Sequence, residues 1–431
     1  MNQDADQRVC TVGIVGFGTV GQAVARVLSN DGHPSLRLTH VCNRNVTRKR
    51  VDWVSPDVIW TDSFDELVDS PVDVVVELIG GLLPARRWIE DALTAGKSVV
   101  TANKQVIADV GPQLMGMAAQ RGCNLLFEAA VAGGIPIIRT LRDGVSGDQL
   151  YRIQGILNGT CNYILTEMQH EGVPFDDALC EAKKLGYAEA DPTADVDGFD
   201  AQAKLAILIG VGLGRSVRVK DIPLRSICPI APVDFVYAKR LGCVIRQVAR
   251  AELLNSKEGI HAGVYPALVP EGSALARVGG SQNIVVVDGK FGGETAFSGS
   301  GAGGEPTAVA VVSDLLAIAR GLPLVVESRR GDKHSSDRVV PEFDAAHYVR
   351  FMVEDRPGII AALAEVFSRH RVNVDAVLQD PGWTKDELPF VMTLESCSST
   401  TVSAAMADIE GFDFHLKEPL WLPVLALGER Q

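Results

Sequence analysis

The sequence predicts an α/β protein in three parts: a doubly wound parallel sheet, an α+β unit, and a smaller C-terminal βαββαβ unit. Three observations carry this reading. Near the start, a glycine loop (Gly16-Phe17-Gly18-Thr19-Val20-Gly21) sits between a β-branched run at 9–15 and a helix-compatible stretch at 22–28. Strand-like and helix-like segments then alternate as far as Phe127, the pattern of parallel strands joined by crossover helices. Beyond a charged stretch at 327–345 the alternation resumes on a smaller scale.

Bulk properties set the frame. A chain of 431 residues corresponds to about two to four domains. Its 46% hydrophobic and 22% charged content suits a globular protein with a sizeable core. A net charge of −13 argues against nucleic acid or an anionic membrane as partner. The first ten residues lack the basic and apolar regions of a signal peptide, and no apolar run approaches the length of a membrane span. Eight cysteines without a CxxC pair predict reduced thiols and a cytoplasmic protein.

The glycine loop has a strand before it and a helix after it, the context a Rossmann-type dinucleotide site requires. Glycines let the backbone approach a pyrophosphate, and the helix N-terminus supplies free amides. A glycine-rich turn that binds nothing is the alternative. The second strand, 36–42, should end near the adenosine ribose, where an NAD site places an acid. This chain has Asn43 and Arg44, with Arg48, Lys49 and Arg50 behind. Arginine pairs with a 2′-phosphate, so Arg44 favours NADP over NAD; an exposed loop charge is the other reading.

Strand 72–79 ends in two glycines, helix 84–95 stops at Gly96, and strand 97–100 runs into Thr101-Ala102-Asn103-Lys104. A helix at 105–121 and a strand at 124–127 follow. Ligands of such sheets lie beyond the carboxyl ends of the strands, which puts Lys104 near nicotinamide or substrate unless it is a surface ion pair. Next, Glu128 opens a small-residue loop through Val131, Gly133, Ile135 and Pro136. One carboxylate beside irregular carbonyls suits a hard cation, although the spacing alone favours a tight loop. The turn Leu157-Asn158-Gly159-Thr160 enters a helix at 163–169, either as a cap or as substrate-facing polar groups.

The most informative stretch is 186–204. Glu189, Asp191, Asp195, Asp197 and Asp200 crowd within twelve residues, and Lys204 follows Asp200 at i,i+4. Exposed pairs of this kind contribute only a few tenths of a kcal/mol. Here, however, Leu205-Ala206-Ile207-Leu208-Ile209 follows directly, so the pair is expected where solvent is thin, and burial brings a lysine into range for proton transfer. Near 298–307 a second glycine loop precedes an apolar helix at 308–320, supplying either further amides or a hinge back to the first part.

Together these segments resemble the homoserine dehydrogenase family. GFGTVG, TANK, EAAVAGGIPII, ILNGTCNYIL, LGYAEADPTADVDGFDAQAK and GAGGEPTA occur in that family's order over nearly the whole chain. The resemblance implies reversible reduction of L-aspartate 4-semialdehyde to L-homoserine by a nicotinamide cofactor, on the route to threonine and methionine. It implies that Glu189 and Asp200 bind the substrate amino end and that Asp195 and Thr160 lie in the same pocket. Lys204 becomes the proton donor and Lys104 a second lysine at the reacting oxygen. Gly186 and Gly301 line the cofactor site with the 16–21 loop. Glu128 with the carbonyls of Val131, Gly133 and Ile135 holds sodium, which reverses the preference from spacing.

Residues 347–353, the Asp355-Arg356-Pro357-Gly358 turn, a helix at 359–370, strands at 372–378 and 388–394, a helix at 401–409 and a strand at 421–427 resemble an ACT domain. That resemblance implies amino-acid control, with threonine the expected effector, or a dimerisation module without ligand. The expected division is a dinucleotide domain at 1–130 joined by a returning helix at 305–320, a substrate and dimerisation domain at 131–325, a linker at 326–345, and an ACT-like domain at 346–431. The expected assembly is a homodimer or homotetramer. The runner-up is an NAD(P)-dependent oxidoreductase acting on another amino-acid aldehyde; the rival from another class is a non-catalytic nucleotide and amino-acid sensor, which has no use for Lys204.

Overall fold

The computed structural model describes residues 9–30, 32–254, 259–322, 336–380 and 388–426. The first part runs β1 (Cys10–Val15), α1 (Thr19–Ser29), β2 (Leu36–Cys42), the short α2 (Val46–Lys49), β3 (Ile59–Thr61), α3 (Phe64–Asp69), β4 (Val74–Glu77), α4 (Ala85–Thr94), β5 (Ser98–Thr101), α5 (Lys104–Arg121) and β6 (Leu125–Leu126). Its six strands are parallel in the order β3-β2-β1-β4-β5-β6. Strand order reverses between β1 and β4, so a crevice opens beyond their carboxyl ends, next to the glycine loop. Val74, Val76, Val99 and Val100 are fully buried. Helices cover both faces of the sheet, which is why its strands read as unbroken apolar runs.

Two boundaries shift from expectation for local polar reasons. Lys104 is itself the first residue of α5, because the Asn103 side chain accepts the Val106 amide at 3.2 Å and starts the helix there. The strand expected at 72–79 is only Val74–Glu77. Its last side chain turns back to accept the Ile79 amide at 2.9 Å and the Thr101 hydroxyl at 2.6 Å.

The second part contains the short α6 (Ile137–Arg139), β7 (Leu150–Ile156), α7 (Gly159–Glu171), α8 (Phe175–Lys184), the short α9 (Thr193–Val196), α10 (Phe199–Leu208), α11 (Pro232–Arg240), β8 (Cys243–Leu253), β9 (Ile260–Pro270), β10 (Gln282–Gly289) and β11 (Gly293–Ser300). Next, α12 (Gly304–Ala319) returns to the first part, where Ala308, Val311 and Leu315 share a core with Val12, Ile14 and Val24.

The third part is β12 (Val339–Val340), β13 (Asp344–Val353), α13 (Ile359–Arg369), β14 (Val374–Gln379), β15 (Leu388–Ser398), α14 (Ser399–Glu410) and β16 (His415–Val424). This is the expected βαββαβ order after one added short strand. Part of the presumed linker is structured, since β12 pairs in parallel with β9; residues 323–335 lie outside the described residues. The final strand begins at His415 rather than 421, and Leu427 also lies outside the described residues.

The second and third parts share one sheet, in the order β11-β10-β7-β8-β9-β16-β13-β15-β14. The joint is β16, antiparallel to β13 on one side and parallel to β9 on the other, with Val424 opposite Leu268. Tyr348, Leu420 and Leu422 enter the same core as Ile227, Tyr237 and Ile245. Among the described residues, no helix is long and apolar enough to cross a membrane.

Candidate active site

The acidic stretch folds as two short steps. α9 carries Asp195, and α10 carries Asp200 and Lys204 one turn apart on a helix buried from Ala201 to Leu208. Lys104 arrives from the first turn of α5, and the two parts of the chain meet at one carboxylate. Asp200 Oδ1 lies 2.9 Å from Lys104 Nζ, and Oδ2 lies 2.7 Å from Lys204 Nζ. Lys204 Nζ also donates to the Leu157 carbonyl at 2.7 Å.

Asn158 ties the acids together. Its Nδ2 donates to Asp195 Oδ1 at 2.7 Å and to Asp200 Oδ2 at 2.9 Å, while its Oδ1 accepts the Cys161 amide at 2.8 Å and caps α7. The cap reading holds, and the same side chain also reaches the acid cluster. Thr160 sits beside it, but its hydroxyl donates to the Tyr187 carbonyl at 2.7 Å. Glu189 is exposed at the rim of the cluster, and Gly186 is exposed just after α8.

The charges act on one another. Burial pushes the Asp200 carboxyl up, but Lys204 and Lys104 on either side more than reverse this and hold it well below the usual carboxylate range. Lys104 is raised chiefly by Asp200, against its own burial, with smaller contributions from Asp195 and Glu189. Asp195 is raised, mainly by burial, and its Asn158 hydrogen bond opposes the rise. The result is a lysine pair bridged by one ionised acid, with a second, more easily protonated acid beside it.

The nucleotide loop lies at the switch point of the first sheet. A Cβ on Gly21 would fall 2.1 Å from the Gly16 carbonyl oxygen, so the turn closes only with glycine there, while nothing lies within 4 Å of a Cβ on Gly18. α1 begins with no side-chain cap, unlike α5 and α7. Open space above uncapped amides fits a dinucleotide phosphate. Thr19 and Val20 form the first turn of α1. Phe17 turns its ring inward, 4.8 Å from Trp60, and its amide donates to Asn43 Oδ1 at 3.2 Å. Arg44 is exposed one residue further on, at the outer end of β2.

The Glu128 loop packs against α12 and against Gly301. Burial pushes the Glu128 carboxyl up, and its two oxygens accept the amides of Ile138 at 2.7 Å and Arg139 at 2.8 Å. The Glu128 amide donates to Asp314 of α12 at 2.9 Å. Val131, Gly133 and Ile135 are buried along the loop, and the Ile135 carbonyl accepts the Ile137 amide at 2.8 Å. Each Glu128 oxygen keeps a second lone pair, so one carboxylate with backbone carbonyls is a donor set that suits sodium. Among the described residues, no group of three or more His, Cys, Asp and Glu side chains is placed to hold a metal ion.

The sequence left Asn158 open between cap and site residue; the Leu157 carbonyl and Asn283 on β10, which donates to that carbonyl at 2.9 Å, were missed. Asn158 carried a signal, being a cap residue three before an amide in need of one. Asn283 carried none, since only pairing of β10 against β7 brings it near.

Three family models match successive parts of the chain. Residues 16–128 match the family described as homoserine dehydrogenase, NAD binding domain, residues 136–316 match homoserine dehydrogenase, and residues 347–412 match the ACT domain. The homoserine dehydrogenase of Bacillus subtilis is 38% identical over 88% of this chain and 89% of its own length. A homoserine dehydrogenase crystal structure from Thiobacillus denitrificans superposes with a TM-score of 0.87 at 35% identity, covering 97% of this chain and 99% of that one. A hyperthermophilic archaeal homoserine dehydrogenase in complex with NADPH superposes with a TM-score of 0.63 at 28% identity, over 73% of this chain and 98% of that chain.

Proposed function

We propose, for a chain that belongs to the homoserine dehydrogenase family, that Lys204 moves the proton at the reacting oxygen while Asp200 holds it in line with Lys104. The chain is an NAD(P)-dependent oxidoreductase, and its reaction interconverts L-aspartate 4-semialdehyde and L-homoserine. The single observation that carries the mechanism is one carboxylate meeting two lysines, at 2.9 Å and 2.7 Å, one from each half of the crevice.

When bound, the nicotinamide supplies or accepts the hydride. The residues of the chain orient the substrate and manage the proton. Both Asp200 oxygens face lysines, so Asp195 and the exposed Glu189 are the acids left to take the substrate ammonium, with Asp200 behind them and Thr160 at the edge. Lys204 reaches the carbonyl oxygen as the proton donor; Lys104, kept protonated by Asp200, places a positive charge where the alkoxide develops. In the oxidative direction Lys204 takes the alcohol proton. The 16–21 loop holds the pyrophosphate, with Gly186 and Gly301 beside the cofactor. Arg44 pairs with a 2′-phosphate, which makes NADP the preferred cofactor. Glu128 with the carbonyls of Val131, Gly133 and Ile135 would hold sodium, whose charge would draw the oxygens of that loop together.

The protein is a cytoplasmic homodimer or homotetramer on the route to threonine and methionine; its eight free cysteines support the reducing compartment. The ACT unit binds threonine as a feedback effector. Initial rates of homoserine oxidation with NADP and with NAD, each with and without threonine and sodium, test these assignments together. Expected are faster turnover with NADP, inhibition by threonine, and loss of at least a hundredfold in turnover in Lys204→Ala with cofactor binding intact. Wild-type turnover in Lys204→Ala would remove this lysine from the mechanism.

A further inference from the structure

Asn283 lies outside every motif discussed above and is fully buried in β10. Its Nδ2 donates to the Leu157 carbonyl at 2.9 Å, and the same oxygen accepts Lys204 Nζ at 2.7 Å. A carbonyl oxygen has two lone pairs; both are engaged here, so the position of the lysine head is set from two sides. The orientation of the amide follows from the chemistry, because turning it over would set its oxygen against the Leu157 oxygen, acceptor to acceptor.

Gly301, in the loop after β11, lies directly against the same amide. A Cβ built on Gly301 would fall 2.0 Å from Asn283 Cγ and 2.1 Å from Nδ2. Gly301 also abuts the Glu128 loop, where a Cβ on Gly133 would come within 2.7 Å of the Gly301 carbonyl oxygen. The requirement for glycine at 301 therefore follows from packing inside the protein, whatever else that residue faces.

We propose that Asn283 is a positioning residue for the reaction: one amide ties the lysine that moves the proton to the glycine loop bordering the crevice, and keeps the two in register. Asn283 touches neither substrate nor reacting atoms and acts through the Leu157 carbonyl. The inference rests on Lys204 having the role proposed above.

The test is a double-mutant cycle on homoserine oxidation with NADP, comparing wild type, Asn283→Ala, Lys204→Ala and the double variant. Asn283→Ala is expected to lower kcat by about 10- to 100-fold and to leave KM for homoserine within about threefold. In the Lys204→Ala background the same change should cost less than about threefold, because its effect passes through that lysine. An equal loss in both backgrounds, or an Asn283→Ala kcat within about threefold of wild type, overturns the proposal. Asn283→Asp keeps the side-chain shape but presents an oxygen to the Leu157 carbonyl; it should be at least as slow as Asn283→Ala, and it replaces that variant in the cycle if the alanine protein fails to fold. The two assignments fail differently. Undiminished turnover in Lys204→Ala indicts the lysine, whereas a slow Lys204→Ala beside a normal Asn283→Ala indicts Asn283 alone.

Discussion

Asp234 and Arg350 form an ion pair across the boundary between the catalytic and C-terminal parts, with Oδ1 and Nε 2.9 Å apart and side chains only 0% and 5% exposed. Tyr348 donates its hydroxyl to the same carboxylate at 2.7 Å, and Arg350 donates to the Pro229 carbonyl at 2.9 Å. Burial pushes the Asp234 carboxyl up, and Arg350 opposes this. Removing one partner leaves the other charge buried without compensation. Arg350→Ala is therefore expected to destabilise the protein by about 3–5 kcal/mol, read as a shift in the urea midpoint; a loss below about 1 kcal/mol would show that water reaches Asp234. Truncation ahead of β13 would strip Tyr348, Leu420 and Leu422 from a shared core. Point changes in the Asp355–Gly358 turn are the cleaner way to separate the proposed threonine control from folding.

Asp200 keeps Lys104 charged. Its pKa is raised in the folded protein chiefly by that carboxylate, so the charge persists to higher pH than in a free lysine, and its favourable interaction is lost as pH rises through the raised value. Asp200→Asn removes this cause. The alkaline limb of the kcat profile should move to lower pH, and kcat should fall by at least about 100-fold. An unmoved limb in an active Asp200→Asn protein would show that Lys104 does not set it.

His261 and His347 should make the junction between the parts sensitive to acid. Burial lowers each to about 4 from an ordinary value of 6.5. Both are neutral in the fold above that value, whereas the unfolded chain takes up protons below pH 6.5. Stability is therefore full above pH 6.5 and declines as pH falls toward 4, by an upper figure of roughly 3 kcal/mol per histidine. Urea unfolding at pH 7.5 and pH 5 should show the loss, and His347→Phe should reduce it. An equal loss in that variant would place the effect on other groups.

Arg44 is exposed just beyond β2, and the proposed NADP preference rests on it. Arg44→Ala is expected to raise KM for NADP by about tenfold, corresponding to about 1.4 kcal/mol, with KM for NAD little changed. Equal effects on both cofactors would mean that Arg44 does not discriminate between them.

Much of the fold could be read locally. The glycine loop, the valine-rich strands and the caps each announce their own structure, because a buried parallel strand or a helix start needs particular residues at short spacing. The pairing of Asp200 with Lys204 was legible for the same reason, being one helical turn. The meeting of Lys104 with Asp200 was not legible: fold geometry put Lys104 only near nicotinamide or substrate, and its partner lies on a different domain. Asn283 and the Asp234–Arg350 pair left no local trace; each side chain looks ordinary until distant strands are set beside one another.

The sequence by itself determined the order of strands and helices, the nucleotide loop and the crowding of acids ahead of an apolar helix, all of which depend on neighbours a few residues apart. Only the tertiary structure decided that one carboxylate serves two lysines, that a single carbonyl is shared by Lys204 and Asn283, and that the C-terminal strands extend the catalytic sheet through β16. Those arrangements depend on strand pairing and on burial, which set the strength of every charge in the site and arise only when segments far apart in the chain exclude water together.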